Sequence, residues 1–255
     1  MNIINRQIHC STFLIKMLFS LMFFVTEEAG FAEELQLSMQ EISFQTRDNF
    51  TIFGSWITPQ TLEPSTQKRP TVILLHDYGF NRREWGIFIP DLVERGFNVL
   101  AFDLRGHGQS KDGGLPPIEY LMAIGVPDVE AALKWVSAQK TTDKKNVNLI
   151  GVGVGADIVF LGTGQLQKKI RAAVVISPTY STVLEGDLMS KEPRAILFCA
   201  STKSYNGMGV LAAETLSNFT KEPKKVVVYN SAAHGFTLFY KHPEIKQEIL
   251  SWIGR

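Results

Sequence analysis

The sequence has little excess charge, few cysteines and no clustered histidines, and each shortage argues against a class of protein. Its 26 Lys and Arg residues against 25 Asp and Glu residues give a formal net charge of +1. Without a basic field on its surface, the chain is not expected to bind nucleic acid. The five histidines are scattered, and no Cys/His pair has the spacing of metal ligands, so we expect no metal site.

The first 32 residues have the pattern of a secretory signal peptide rather than of a folded domain. Two basic residues precede a short apolar run, MLFSLMFFV, and the small residues Gly30 and Ala32 lie just before a cleavage point after Ala32. The alternative is an uncleaved membrane anchor, although the run is short for spanning a bilayer. We therefore expect an exported protein, periplasmic or secreted. Its mature chain, residues 33–255, would keep one cysteine, Cys199, and hence no intramolecular disulfide.

The mature chain alternates strand patterns with helix patterns. Residues 42–59 predict two strands around a turn, and later apolar runs such as TVILL, AAVVI and KVVVY are typical of strands buried on both faces of a sheet. Helices are predicted over residues 87–95, over residues 127–139 with Pro127 at the start, and over residues 244–254. This alternation predicts a single α/β domain with a doubly wound, mostly parallel sheet and helices on both faces.

Four short motifs follow predicted strands in a fixed order: VILLHDYGFNRREW, AFDLRGHGQS, LIGVGVGAD and AAHGF. Their order and their turn residues resemble the α/β-hydrolase superfamily, specifically its small dienelactone-hydrolase-like members without a large lid. The resemblance covers about residue 40 to 255. It implies that LIGVGVGAD occupies the place of the nucleophile elbow, G-x-S-x-G, and that AAHGF occupies the place of the catalytic histidine loop.

The resemblance also implies that the catalytic triad is incomplete. A serine on the elbow turn would attack the substrate, but Gly153 stands at that position. The triad acid is expected after the strand AILFCAS, where the loop Thr202–Gly209 has Ser204 in the acid region and contains no Asp or Glu. His234, in SAAHGF, stands at the place of the catalytic base. It is the one triad member that remains, unless a carboxylate comes from elsewhere.

Other residues offer weaker routes to chemistry. Glu185 or Asp187, in the loop after the preceding strand, is an alternative source of the acid. Cys199 lies within an apolar strand pattern and is expected to be inert core. The glycines of residues 151–155 differ from a dinucleotide-binding G-x-G-x-x-G turn because the third glycine comes one place early and the turn follows a late strand. We therefore expect no cofactor.

A binding site can survive the loss of a nucleophile. The resemblance implies that the backbone N–H groups of Tyr78 and Val154 still form the oxyanion hole, beside the start of a helix that favours negative charge. We therefore expect a protein that binds a small carbonyl-bearing or anionic ligand, or a protein partner, without turning it over. Two alternatives remain open: a weak hydrolase of ester, thioester or lactone bonds with His234 as base, and a structural subunit with a closed pocket.

Overall fold

The computed structural model describes residues 37–60, 67–111, 113–179 and 193–255. All of them belong to one compact unit, Leu35–Arg255. The predicted signal peptide and the two alternative acids, Glu185 and Asp187, lie outside the described residues. Within the four described ranges, no helix is both long enough and apolar enough to cross a membrane.

Eight strands in these ranges form one sheet. They are β1 (Leu37–Gln45), β2 (Thr51–Pro59), β3 (Arg69–Leu75), β4 (Asn98–Phe102), β5 (Thr142–Val152), β6 (Ala172–Ile176), β7 (Arg194–Ser201) and β8 (Lys221–Tyr229). Their order across the sheet is β1-β2-β4-β3-β5-β6-β7-β8. β2 runs antiparallel to both of its neighbours, and the pairs from β4 to β8 are parallel. The predicted sheet is therefore confirmed.

Helices cover both faces of this sheet. They are α1 (Ile89–Glu94), α2 (Ile118–Ala138), α3 (Val154–Gln165), α4 (Met208–Asn218), α5 (Thr237–Lys241) and α6 (Ile245–Ile253). The apolar sides of α2, α3 and α4 pack into the core on one face. Those of α1, α5 and α6 pack into the core on the other face. This layered arrangement confirms the predicted fold class and buries the central strands from both sides.

Two local predictions were wrong. Pro127 does not begin its helix but lies inside α2, which starts at Ile118 because Leu121 and Met122 are buried against the sheet. Proline lacks the N–H that would bind the carbonyl of Ala123, and because Ala123 is exposed, water can replace that donor. β8 is not buried as predicted. It lies at the edge of the sheet with most of its residues exposed, and the strand contains three lysines, which protect an edge from further pairing.

The parallel strands bring the sequence motifs together at the carboxyl ends of the strands. β3, β5, β7 and β8 run in the same direction, so their carboxyl ends lie along one side. The loops that follow these ends contain Asp77, Gly153, Ser204 and His234. In open parallel sheets, ligands bind at this side, outside the carboxyl ends of the strands.

Candidate functional site

Gly153 forms the tight turn between β5 and α3. Its backbone has φ +56° and ψ −123°, its N–H donates to the carbonyl of Ile176 at 3.0 Å, and α3 begins at the next residue, Val154. Glycine adopts a positive φ without the steric cost that a Cβ brings. The turn therefore has the sharp strand-to-helix shape of a nucleophile elbow without a side chain to attack from it.

The two expected oxyanion donors bind a side chain of the protein itself. The backbone N–H groups of Tyr78 and Val154 both donate to Oδ1 of Asp77, at 2.7 Å and 2.9 Å. Asp77 lies two residues after the end of β3, and its side chain turns toward the elbow. The two N–H groups predicted to form an oxyanion hole thus converge on one carboxylate oxygen of Asp77.

Asp77 also takes the space that an elbow side chain would fill. A Cβ added to Gly153 would overlap the carboxylate group of Asp77. The two residues therefore form a matched pair, in which the carboxylate can fill the hole because the elbow residue has no side chain. A serine at position 153 could not coexist with Asp77 in its present position.

His234 faces the same carboxylate from the loop after β8. Its Nε2 lies 3.7 Å from Asp77 Oδ2, which is longer than a hydrogen bond, and its Nδ1 lies 3.0 Å from Ser204 Oγ. The His234 loop is held by its own contacts: the His234 N–H donates to Thr237 Oγ1, and the Gly235 N–H donates to Ser177 Oγ. The structure thus gathers Gly153, Ser204, His234, Tyr78 and Val154 around Asp77.

The match to known families agrees with this geometry. Residues 70–198, just over half of the chain, match the model of a family described as the α/β-hydrolase fold. The chain belongs to the α/β-hydrolase family. It is 24% identical over 230 residues to the uncharacterized protein YfhR of Escherichia coli, covering 83% of this chain and 78% of that protein.

Solved structures of other α/β hydrolases superpose on the same fold. The esterase Pf2001 of Pyrococcus furiosus has a TM-score of 0.68 at 19% identity, over 86% of this chain and 93% of its own. A candidate dienelactone hydrolase from Klebsiella pneumoniae has a TM-score of 0.69 at 16% identity, over 86% of this chain and 99% of its own. At these identities the likeness establishes the hydrolase fold and leaves the activity of this chain to its own residues.

Two buried histidines of this hydrolase fold hold the Asp77 loop in place. His76 Nε2 accepts from the Leu104 N–H at 3.0 Å, its Nδ1 lies 2.7 Å from the Asp77 carbonyl, and His107 Nε2 accepts from the Gly79 N–H at 3.0 Å. Burial lowers the pKa of His76 to about 4 and lowers the pKa of His107 as well. At neutral pH both rings are therefore uncharged and act as fixed supports of the loop.

Two other side chains that could in principle act as nucleophiles, Cys199 and Ser177, are unsuited to attack. Cys199 is fully buried in β7, and burial raises the pKa of its thiol to about 12, so the reactive thiolate is absent at neutral pH. Ser177 is buried and its hydroxyl accepts from the Gly235 N–H. In the part of the chain that the structure describes, no group of three or more His, Cys, Asp or Glu side chains could hold a metal ion.

A cavity of about 930 Å³ lies away from this site. It is lined by the end of β1 and the turn after it, by α2, by the start of β5 and by the turn after α3, and its charged members are Arg47, Glu130, Lys134, Lys144, Lys168 and Lys169. Neither Asp77 nor His234 contributes to it. These long, solvated side chains do not form a fixed arrangement of catalytic groups. The residues around Asp77 and the Gly153 turn therefore remain the candidate site.

Sequence reasoning missed Asp77, which is the central residue of the site. The motif HDYG was interpreted only for its backbone N–H donor at Tyr78. Two signals point to the aspartate in retrospect: it directly precedes that donor, and the elbow position that it would face holds glycine. Which way a loop side chain turns depends on tertiary contacts, in this case on the N–H of Val154, which is distant in sequence.

Proposed function

We propose that this protein is an exported α/β-hydrolase-fold protein that binds a small ligand or a protein partner and does not cleave esters through an acyl-enzyme. One observation carries the proposal: Asp77 holds both oxyanion donors and fills the space of the elbow side chain. Acyl transfer needs a nucleophile, whose loss costs about 10⁶ in turnover, and free donors, each of which is worth about 10²–10³. The site as it stands supplies neither.

The surroundings of the His234 ring support the same proposal. Nε2 faces the Asp77 carboxylate, so the tautomer with a proton on Nε2 is favoured, and Nδ1 then accepts from the Ser204 hydroxyl. A general base must present an unprotonated nitrogen to the cleft. A serine hydroxyl beside Nδ1 favours the opposite tautomer less strongly than a triad carboxylate would.

The proposed ligand is neutral where it meets Asp77. A carbonyl-bearing molecule with a hydrogen-bond donor could bind beside Oδ2, whereas an anionic ligand would have to displace the Asp77 carboxylate from its two donors. Aromatic surface is close in sequence to both loops: the half-exposed ring of Phe80 packs on Phe236, with ring centroids 6.1 Å apart. Small apolar groups therefore have a surface to bind.

Turnover of p-nitrophenyl acetate tests the catalytic part of this proposal. The wild-type protein, His234→Ala and His242→Ala are compared at equal concentration, with His242→Ala as the matched histidine control. We expect all three to be indistinguishable from the uncatalysed background. Turnover by the wild type and by His242→Ala that disappears in His234→Ala would contradict the proposal.

Ligand binding and export are tested separately. Benzoate titrated into the protein should shift the amide NMR signals of Tyr78 and Val154 in Asp77→Gly, which vacates the hole, and much less in the wild type. Equal shifts in both would show that Asp77 does not keep an anion away from these two donors.

For export, the N-terminus of protein recovered from the producing cell's envelope or medium should begin at Glu33; an intact N-terminus would favour the uncleaved anchor.

A second candidate function is supported by the position of the histidine ring. Ser204 lies 3.0 Å from Nδ1 and can orient the ring, so His234 could activate water against an ester, thioester or lactone. Such an enzyme would be slow, because replacing a triad carboxylate by a neutral group costs about 10⁴ in turnover. The His234→Ala comparison above separates this function from simple binding.

A further inference from the structure

Five positively charged side chains line the cavity beside α2, and we call them the basic face. They come from the turn after β1, from α2, from the start of β5 and from the turn after α3: Arg47, Lys134, Lys144, Lys168 and Lys169. All five residues are exposed. Because the formal net charge of the whole chain is only +1, positive charge is concentrated on this face rather than spread evenly over the surface.

Neighbouring carboxylates compensate little of this charge. Glu130 is the one acidic residue among the described residues that line the cavity. It pairs with Lys169 at 3.0 Å, but the two side chains are 45% and 54% exposed, so water screens the pair and weakens it. The other four cations form no ion pair with a residue that the structure describes. Their charge is therefore available to a partner.

The side chains of the basic face favour an extended anionic surface over a discrete ligand. Each cation is at the end of a long, flexible chain that stays in water, and no charged side chain there is buried to fix the position of a ligand. Nucleic acid fits less well, since the described lining has no aromatic ring for a base to stack on and only one arginine. Lysines act as point charges, which is sufficient for a fluid layer of lipid phosphates.

The lysines of the basic face lie far from the elbow cleft. Lys144 is near the start of β5, Lys168 precedes β6, and Lys134 is near the end of α2, which leads into β5. These positions are toward the amino ends of the parallel strands. Gly153 follows the carboxyl end of β5, about 25 Å away along that strand. A surface bound to these lysines would leave the elbow cleft open.

We propose that the basic face binds the surface of a membrane that contains anionic phospholipids. The contact is electrostatic and reversible, it does not need the apolar N-terminal segment, and it turns the elbow cleft away from the lipid. It uses a surface other than the candidate site and stands apart from the proposed function. Each cation near an anionic membrane raises the partition coefficient about fivefold, and salt screens this attraction.

Partition into vesicles tests the proposal with the protein as it is recovered from the producing cell. The vesicles are phosphatidylcholine with or without about one-third phosphatidylglycerol. Lys134→Gln with Lys168→Gln should lower partition into the anionic vesicles about 25-fold, because two cations are lost, and should not change partition into pure phosphatidylcholine. Every sample has the same N-terminus, so any contribution of the apolar segment cancels.

The matched control removes two lysines from the other side of the sheet. Lys203, after β7, and Lys241, at the end of α5, are exposed and form no ion pair with a described residue. Lys203→Gln with Lys241→Gln should stay within about twofold of the wild type. Equal losses in the two double variants, or equal partition of the wild type into both kinds of vesicle, would overturn the proposal.

Acetylation of lysines in the wild-type chain, followed by peptide mass mapping, tests the orientation. Anionic vesicles should slow acetylation of Lys134, Lys144 and Lys168 and leave that of Lys203 and Lys241 unchanged. Protection of Lys203 and Lys241 instead would overturn the proposal.

A short DNA duplex tests whether the partner is a membrane. Binding of DNA as tight as that of vesicles, with the same dependence on Lys134 and Lys168, would replace the membrane by any polyanion and overturn the proposal. Failure of membrane binding in these experiments leaves the turnover test at the elbow cleft, and hence the proposed function, unaffected.

Discussion

Asp77 and Asp103 follow neighbouring strands and use the same structural device with different results. Each carboxylate accepts two backbone N–H bonds, and each fills the space beneath a glycine of positive φ, Gly153 for Asp77 and Gly108 for Asp103. Asp103, however, is buried against the guanidinium of Arg82, whereas the structure pairs Asp77 with no Lys or Arg among the described residues. The ion pair with Arg82 gives Asp103 a structural role. Asp77 has no such ion pair, and its carboxylate faces the cleft.

The largest predicted effect lies on the structural side of this comparison. Asp103→Asn should lower the free energy of unfolding by about 3 kcal/mol, because Arg82 remains buried and loses its buried partner. The contact of Arg82 with Glu41 cannot replace it fully, since the Glu41 side chain is 57% exposed. Urea unfolding of the variant and the wild type measures the difference. A loss below about 1 kcal/mol would mean that Asp103 and Asp77 differ less than the structure indicates.

The second prediction tests the matched pair at the elbow. Gly153→Ser should cost about 3 kcal/mol, from the positive φ and from displacement of the Asp77 carboxylate. In an Asp77→Gly background the same substitution should cost only about 1 kcal/mol, a coupling within the range for residues in contact. Urea unfolding of all four proteins gives this double-mutant cycle.

A control separates backbone strain from the clash. Gly96 also has a positive φ, +81°, but a Cβ there meets only the end of the Arg69 side chain, at 3.7 Å. Gly96→Ser should therefore show the backbone cost alone, and Asp77→Gly should not change it. If Gly153→Ser costs no more than Gly96→Ser, then Asp77 moves aside without penalty and does not block the elbow.

The sequence predicts the sheet and helix layers of this molecule better than it predicts the contact between Asp77 and the N–H of Val154. Runs such as TVILL and AAVVI are apolar on both faces, and burial on both faces leaves them few alternatives to a central parallel strand. The predicted helix start at Pro127 was wrong because core packing of the residues before it extends α2 back to Ile118. The predicted burial of β8 was wrong because an apolar run in an edge strand has the same sequence pattern as one in a central strand.

The site shows the same division. Gly153, Ser204 and His234 could be placed because each follows a strand, and parallel strands bring their ends together. The contact between Asp77 and the N–H of Val154 could not be placed, since it joins residues that are 77 positions apart and depends on one side-chain rotation. Backbone position follows from patterns along the chain, whereas side-chain direction in a loop follows from neighbours that the pattern does not identify.

The third prediction concerns the support beneath Asp77. The pKa of His76 is lowered by burial from 6.5 to about 4, so its ring is neutral when folded and becomes charged more readily when unfolded. Its contribution to stability is therefore complete above pH 6.5 and is lost as the pH falls toward 4. Between pH 6.5 and pH 5 the free energy of unfolding should fall by about 2 kcal/mol from this group.

His76→Gln isolates that contribution, because glutamine can accept from the Leu104 N–H but does not titrate. The measurement is the difference in unfolding free energy between the two pH values, for the wild type and the variant side by side. Subtracting the variant cancels the other titrating groups. Parallel pH dependence in both proteins would show that His76 is hydrated or protonated in the folded state and does not hold the loop as a neutral ring.

The smallest predicted effect completes the comparison. Asp77→Asn should change the free energy of unfolding by less than about 1 kcal/mol, since the amide oxygen can accept from the N–H groups of Tyr78 and Val154 and no buried cation loses its partner. The same chemical change at Asp103 is expected to cost several times more, and urea unfolding measures both. A large loss at Asp77 would show that its charge is needed by the fold, as that of Asp103 is. A small loss would show that the fold is stable without the negative charge of Asp77, so that this charge is available to whatever binds in the cleft.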